Sequence, residues 1–156
     1  MQPRLDYQKS APKGALDVML TLEKYVRGSG LEHSLLELVK TRASQINGCA
    51  YCIDMHTKDA RAQGETEQRL YALSAWRETP FYSERERAAL EWTEALTLIS
   101  QNNVPDELYD RVRKHFKEPE LVNLTLAIVA INGWNRIAIP FRAVPGSYQR
   151  SPSAAA

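Results

Sequence analysis

The 156-residue chain has two cysteines, three histidines and seven glycines, and its 20 Lys+Arg residues face 19 Asp+Glu, leaving a formal charge of +1. Each scarcity excludes something. Two cysteines are too few for a disulfide scaffold, and a chain of this length needs none, because it can bury the core of one ordinary domain. A charge so near zero produces no field that would gather nucleic acid or an anionic membrane, so neither is expected as a partner. No glycine-rich strand-to-helix turn or phosphate loop is present, and no flavin, haem or nucleotide cofactor is expected. The N-terminus Met1-Gln2-Pro3-Arg4-Leu5-Asp6 lacks the basic and apolar segments of a signal peptide. No uninterrupted run approaches the roughly 18 apolar residues of a membrane span. The expectation is a soluble cytoplasmic protein. In that reducing compartment a cysteine pair is more often catalytic, redox-sensing or metal-binding than a structural staple.

Strand signals are missing too. Apolar residues recur at spacings of three and four, and nowhere do they alternate between turn residues as hairpin strands do. The expected fold class is all-α, a bundle of about seven helices. They fall at residues 13–27, 31–46, 50–63, 66–77, 84–100, 106–116 and 119–139, punctuated by Gly28-Ser29-Gly30, Asn47-Gly48, Gly64 and Thr79-Pro80. Ser83-Glu84-Arg85-Glu86 reads as a capping box, in which the serine hydroxyl and the glutamate each satisfy the other's backbone amide. The stripe Ala88, Trp92, Ala95, Leu96 and Ile99 makes Trp92 a packing residue. The last helix is apolar around most of its circumference, through Leu121, Leu124, Leu126, Ile128, Val129 and Ile131, which suits a central place or an interface between copies. Residues 1–150 read as a single domain and 151–156 as a disordered tail.

Chemistry concentrates around the cysteines. In Cys49-Ala50-Tyr51-Cys52 the thiols stand at i and i+3 at the start of a helix, on one narrow face and within reach of a disulfide. His56 follows four residues beyond Cys52 on the same face. A helix N-terminus offers partial positive charge and free amides that favour thiolate, as does a nearby imidazolium. Two other readings fit these residues: inert buried thiols, or part of a zinc site with His56 as third ligand and His33 or His115 still to be recruited. The tight Asn47-Gly48 turn should fold its flanking helices into an antiparallel hairpin, with the CxxC at the start of the second. Glu37, about nine residues before the turn, and His56, about eight after it, then lie at similar heights at about 1.5 Å per residue. On a helical wheel, however, Glu37 shares a stripe with Lys40, Thr41 and Ser44, opposite Leu36, Val39, Ala43 and Ile46, and reads as a solvent-facing charge.

Glu37, Cys49, Cys52 and His56 together have the spacing glutamate, eleven residues, cysteine, two residues, cysteine, three residues, histidine. This resembles the signature of the alkylhydroperoxidase D group within the carboxymuconolactone decarboxylase-like superfamily. Residues 47–61 are similar to that group's core block, and Ile131-Asn132-Gly133-Trp134-Asn135-Arg136-Ile137-Ala138 to a later one. The resemblance implies an all-helical fold, homotrimers or homohexamers, and a thiol-dependent hydroperoxide reductase without a cofactor or metal. It implies Cys52 as the peroxidatic thiol, Cys49 as the resolving thiol, and Glu37 with His56 as the proton relay. Such a cycle is chemically coherent, since a thiolate that attacks an O–O bond becomes a sulfenic acid that a second thiol captures as a disulfide. Tyr51 stands where better known members carry histidine. A phenol titrating near 10 is a poorer proton shuttle at neutral pH, so Tyr51 is either a weaker site residue or half-buried packing. The expected partners are a small-molecule peroxide and a dithiol electron donor, either a thioredoxin-like or a lipoyl protein. Carboxymuconolactone decarboxylase activity itself needs no redox cysteines, so the intact CxxC argues against it. A non-enzymatic sensor switched by the disulfide is a third reading.

Overall fold

The structure, a computed structural model, describes residues 2–150; the tail expected to be disordered lies outside them. The described residues contain nine α-helices, one 3-10 segment and no strand, in line with the all-α expectation. In chain order they are α1 (Tyr7–Ser10), α2 (Asp17–Arg27), α3 (His33–Asn47), α4 (Ala50–Ala62), α5 (Glu67–Ala72) running into the 3-10 segment (Leu73–Glu78), α6 (Glu84–Thr97), α7 (Ile99–Asn102), α8 (Asp106–Arg113) and α9 (Glu118–Phe141).

Several expected boundaries move, each for a local reason. The first long helix starts at Asp17, because Gly14 just upstream adopts φ +83°, which no helix contains. The expected 66–77 helix divides where Ala75 leaves helical geometry (φ −116°, ψ 27°). That kink turns Trp76 into the core, where its indole N–H donates to Glu94 at 2.9 Å. The expected 84–100 helix stops at Thr97, since Leu98 (φ −106°, ψ 34°) breaks it, and Ile99 is exposed rather than continuing the Trp92 stripe. The last helix runs two residues further than expected, past Pro140, and ends in a left-handed cap at Arg142 (φ 55°). The helices α1 and α7 have four residues each, too few to show a period. The Ser83 capping box forms as expected, with Ser83 N donating to Glu86 Oε2 at 2.8 Å and Glu86 N to Ser83 Oγ at 3.3 Å. Trp92 is buried in the core, its indole N–H donating to Thr125 Oγ1 at 3.0 Å.

Helix α3 is the hub, packed against α4, α6 and α9. Its apolar residues Leu35, Leu36, Leu38, Val39 and Ala43 enter the three hydrophobic clusters of the core. The wheel reading of its other face is overturned. Glu37, Lys40, Thr41 and Ser44 are each at most 2% exposed. A wheel assumes that a polar stripe faces water, whereas α3 is enclosed on all sides and most of its polar groups find internal partners. The long helix α9 also packs on α2, α4 and α6. By length and mean hydropathy α9 could cross a bilayer; here one side of it packs on α2, α3, α4 and α6, and 39% of its most apolar stretch is buried. Gly133 in its middle faces α2, where an added Cβ would stand 2.8 Å from Met19 Cε, the end of a flexible side chain that can move aside.

Candidate active site

The CxxC is positioned by the turn before it. Gly48 takes φ 71° to cap α3, and Cys49 N donates to Ser44 O at 2.9 Å, so Cys49 becomes the N-cap of α4 and Cys52 completes its first turn. Both cysteines are free and buried. They share a hydrogen bond and titrate as a pair. That bond, against burial and with help from the first-turn amides of Cys52 and Tyr51 and from Asn135, draws the Cys49 thiol down to about 7. The Cys52 thiol is pushed up by that same bond and by burial.

Behind the sulfurs lies a polar lattice between α3 and α9. Asn47 Nδ2 donates to Asn135 Oδ1 at 2.8 Å and to Asn132 Oδ1 at 3.0 Å, and Asn135 Nδ2 donates to Ser44 Oγ at 3.2 Å. One turn along α4, His56 Nδ1 is 2.8 Å from Glu37 Oε2. The structure therefore joins the two residues across α3 and α4. Burial works to raise the Glu37 carboxyl, but the bond to His56 and the charges of His56, Lys40 and Arg27 outweigh it and hold Glu37 below the usual carboxylate range. Arg27 approaches the other oxygen, Oε1, at 3.8 Å, and Lys40 pairs with Glu23.

A cavity of about 430 Å³ opens in front of these groups. Cys52, His56 and Tyr51 line it; Cys49 does not. Tyr51 is half-buried, and burial, followed by the cysteines and Asp54, raises its phenol, which therefore stays protonated as a hydrogen-bond donor. The two chain ends frame the cavity. Tyr7 of α1 stacks on Phe141 with ring centroids 6.2 Å apart, and Arg4 N donates to Phe141 O at 3.0 Å. From the other end, Gly146 N donates to Asp54 Oδ2 at 3.0 Å, and the Tyr148 hydroxyl reaches both Asp59 oxygens at 3.0 and 3.1 Å.

Asp59, Tyr148, Tyr7 and Asn135 carry roles in this site that sequence reasoning did not assign. Asp59 had a signal, since it lies three residues beyond His56 on the same helical face. Tyr148 had none, being 89 residues from its partner. Donor atoms of Glu37, His56 and Asp59 all lie within 4.8 Å of one another, a set that could hold a divalent ion. Their charge is already met internally, however, Glu37 by His56 and Arg27 and Asp59 by Tyr148 and Arg150. For the zinc reading through the cysteines, His33 and His115 do not line this cavity.

The profile of the carboxymuconolactone decarboxylase family matches residues 14–95, which hold Glu37, both cysteines and His56. The chain belongs to that family. It is 54% identical over 139 residues to the uncharacterized protein YdfG of Bacillus subtilis (strain 168), covering 89% of this chain and 94% of that one. Its fold matches the crystal structure of an Agrobacterium tumefaciens protein of unknown function, described as a candidate antioxidant defence protein AhpD. The TM-score is 0.90 and the identity 46%, over 94% of this chain and all (100%) of that one. The debrominase Bmp8 has the same fold at a TM-score of 0.72 and 19% identity, with 84% of this chain and 70% of that chain covered. The fold of this chain is therefore AhpD-like, and the same fold is found in a debrominase.

Proposed function

We propose that this family member is a thiol-dependent hydroperoxide reductase. The reading rests on one observation above the others: Cys52 faces a cavity with its thiol hydrogen-bonded to a depressed Cys49 and with the Glu37–His56 pair one turn away. In the cycle, Cys49 thiolate takes the Cys52 proton, and Cys52 thiolate attacks the distal peroxide oxygen. The O–O bond breaks, Cys52 becomes a sulfenic acid, and the leaving alkoxide takes a proton to depart as the alcohol. His56, oriented by Glu37 through Nδ1, supplies that proton, and Tyr51 offers a weaker donor beside it. The Cys49 thiol then attacks the sulfenic sulfur, forming the Cys49–Cys52 disulfide and releasing water. A cytoplasmic dithiol, thioredoxin-like or lipoyl, restores both thiols, so that one peroxide consumes two electrons from the donor.

Turnover distinguishes this enzyme from a redox sensor. With peroxide and a supplied dithiol in excess, consumption should continue for many equivalents, and His56→Ala should slow it by roughly 10²–10⁴-fold while the protein stays folded. Consumption that stops after one equivalent per chain would leave the sensor. Decarboxylation of a carboxymuconolactone is disfavoured by the paired thiols, which that reaction does not use.

A further inference from the structure

We propose that the cavity is built for an organic hydroperoxide with a flat apolar body and a carboxylate at its outer end, a substrate class that rests on the peroxidase reading above. The volume, about 430 Å³, falls in the range of roughly 300–1,000 Å³ that encloses small organic ligands, far beyond what hydrogen peroxide fills. The walls are aromatic: Tyr7, Tyr51, Trp134 and Tyr148 come from four different segments and converge on the one space, with Met55 among them. Flat π faces and a thioether suit a planar apolar guest.

The charged groups around the cavity cancel one another, with one exception. Lys40 pairs with Glu23, Glu37 with His56, and Asp59 is held by Tyr148 and Arg150. That leaves Lys24, and beside it Arg27, whose guanidinium is held only by the long 3.8 Å pairing with Glu37; both are exposed and line the cavity, three residues apart and therefore neighbours on one face of α2. Among the described residues no carboxylate makes a hydrogen bond to either side chain, and the nearest approach to Arg27 is Glu37 Oε1 at 3.8 Å. Two exposed cations on a cavity that the buried Cys52 thiol also lines would orient an amphipathic acid with its anion outward and its reactive end toward Cys52.

Binding is measured apart from turnover by titrating reduced protein with 4-(2-hydroxypropan-2-yl)benzoate and with its neutral parent 2-phenylpropan-2-ol. Calorimetry and the fluorescence of the cavity residue Trp134 report the affinity. The carboxylate should bind about 10-fold more tightly at low salt, as two exposed ion pairs of up to about fivefold each allow. Most of that preference should vanish in Lys24→Gln/Arg27→Gln, with the neutral ligand unaffected. Lys24→Gln alone, remote from Glu37, should lose part of it and guards against a folding defect in the double variant. Equal affinity for the two ligands, or a carboxylate preference that survives the double substitution, overturns the proposal. If the carboxylate binds as expected while neither cumene hydroperoxide nor its 4-carboxylate is turned over, the binding site stands and the peroxidase reading falls.

Discussion

Cys49 is the thiol drawn down to about 7 while Cys52 is the one on the cavity, and the bond they share links the two properties. Peroxide meets only the sulfur it can reach, so access selects Cys52 for attack, and the low value of its partner provides the base. The variants should then differ in kind. Cys49→Ser, deprived of that base, should react once, more slowly than the parent, and stall as a Cys52 sulfenic acid that a dimedone-type probe traps, whereas Cys52→Ser should lose the fast reaction. Labelling confined to Cys49 in Cys52→Ser would reverse the roles. The pH dependence follows from the sign of the shift. The Cys49 value is depressed to about 7, so thiolate is present above it and is lost as pH falls through it. Disulfide formation by the parent protein should therefore rise with a midpoint near 7 rather than at the ordinary thiol value; stopped-flow peroxide reduction across pH reads this directly.

At the scale of elements, the site exists because α3 buries a polar stripe. Glu37 reaches across to α4, and Ser44 reaches α9 through Asn135, so one helix face links the relay to the lattice behind the thiols. Asn135 favours thiolate at both cysteines and is itself fully buried. Asn135→Leu keeps the number of side-chain heavy atoms, with somewhat more bulk, but leaves the Asn47 amide with one acceptor fewer and the Ser44 hydroxyl without this donor. It should cost about 1–3 kcal/mol in urea unfolding. The same change should move the midpoint of Cys49 alkylation upward. Lost stability with an unmoved midpoint would make the lattice purely structural.

For the whole molecule, the unexplained surface is on α9, where Val122 and Val129 are 58% and 54% exposed, seven residues apart on one side of a helix whose other faces are in the core. Leu126 lies between them, partly buried. Such a stripe suits contact with further copies of this chain, and a homotrimer or homohexamer is our expectation. Multi-angle light scattering at micromolar concentration should give a mass several times 17.7 kDa. Val129→Glu should shift it toward the monomer. A parent protein that runs as a monomer would remove the need for a partner at this face.

Local chemistry was enough to read the helical class, the Asn47-Gly48 turn, the capping box and the alignment of Cys49, Cys52 and His56, because each depends on residues within about two helical turns of one another. The burial of Glu37 was not readable from its own helix: the periodicity of α3 pointed it at water, and only the resemblance of the spacing drew it into the site. Packing decided the matter, by enclosing α3 between helices far away in the chain. The same holds for Asn135, which meets Ser44 across 91 residues, and for Tyr148, which meets Asp59 across 89. A helix repeats its geometry from turn to turn and so announces its own faces. Which face is covered, and by what, depends on long-range contacts that leave no period in the sequence, and the cavity before Cys52 is made entirely of such contacts.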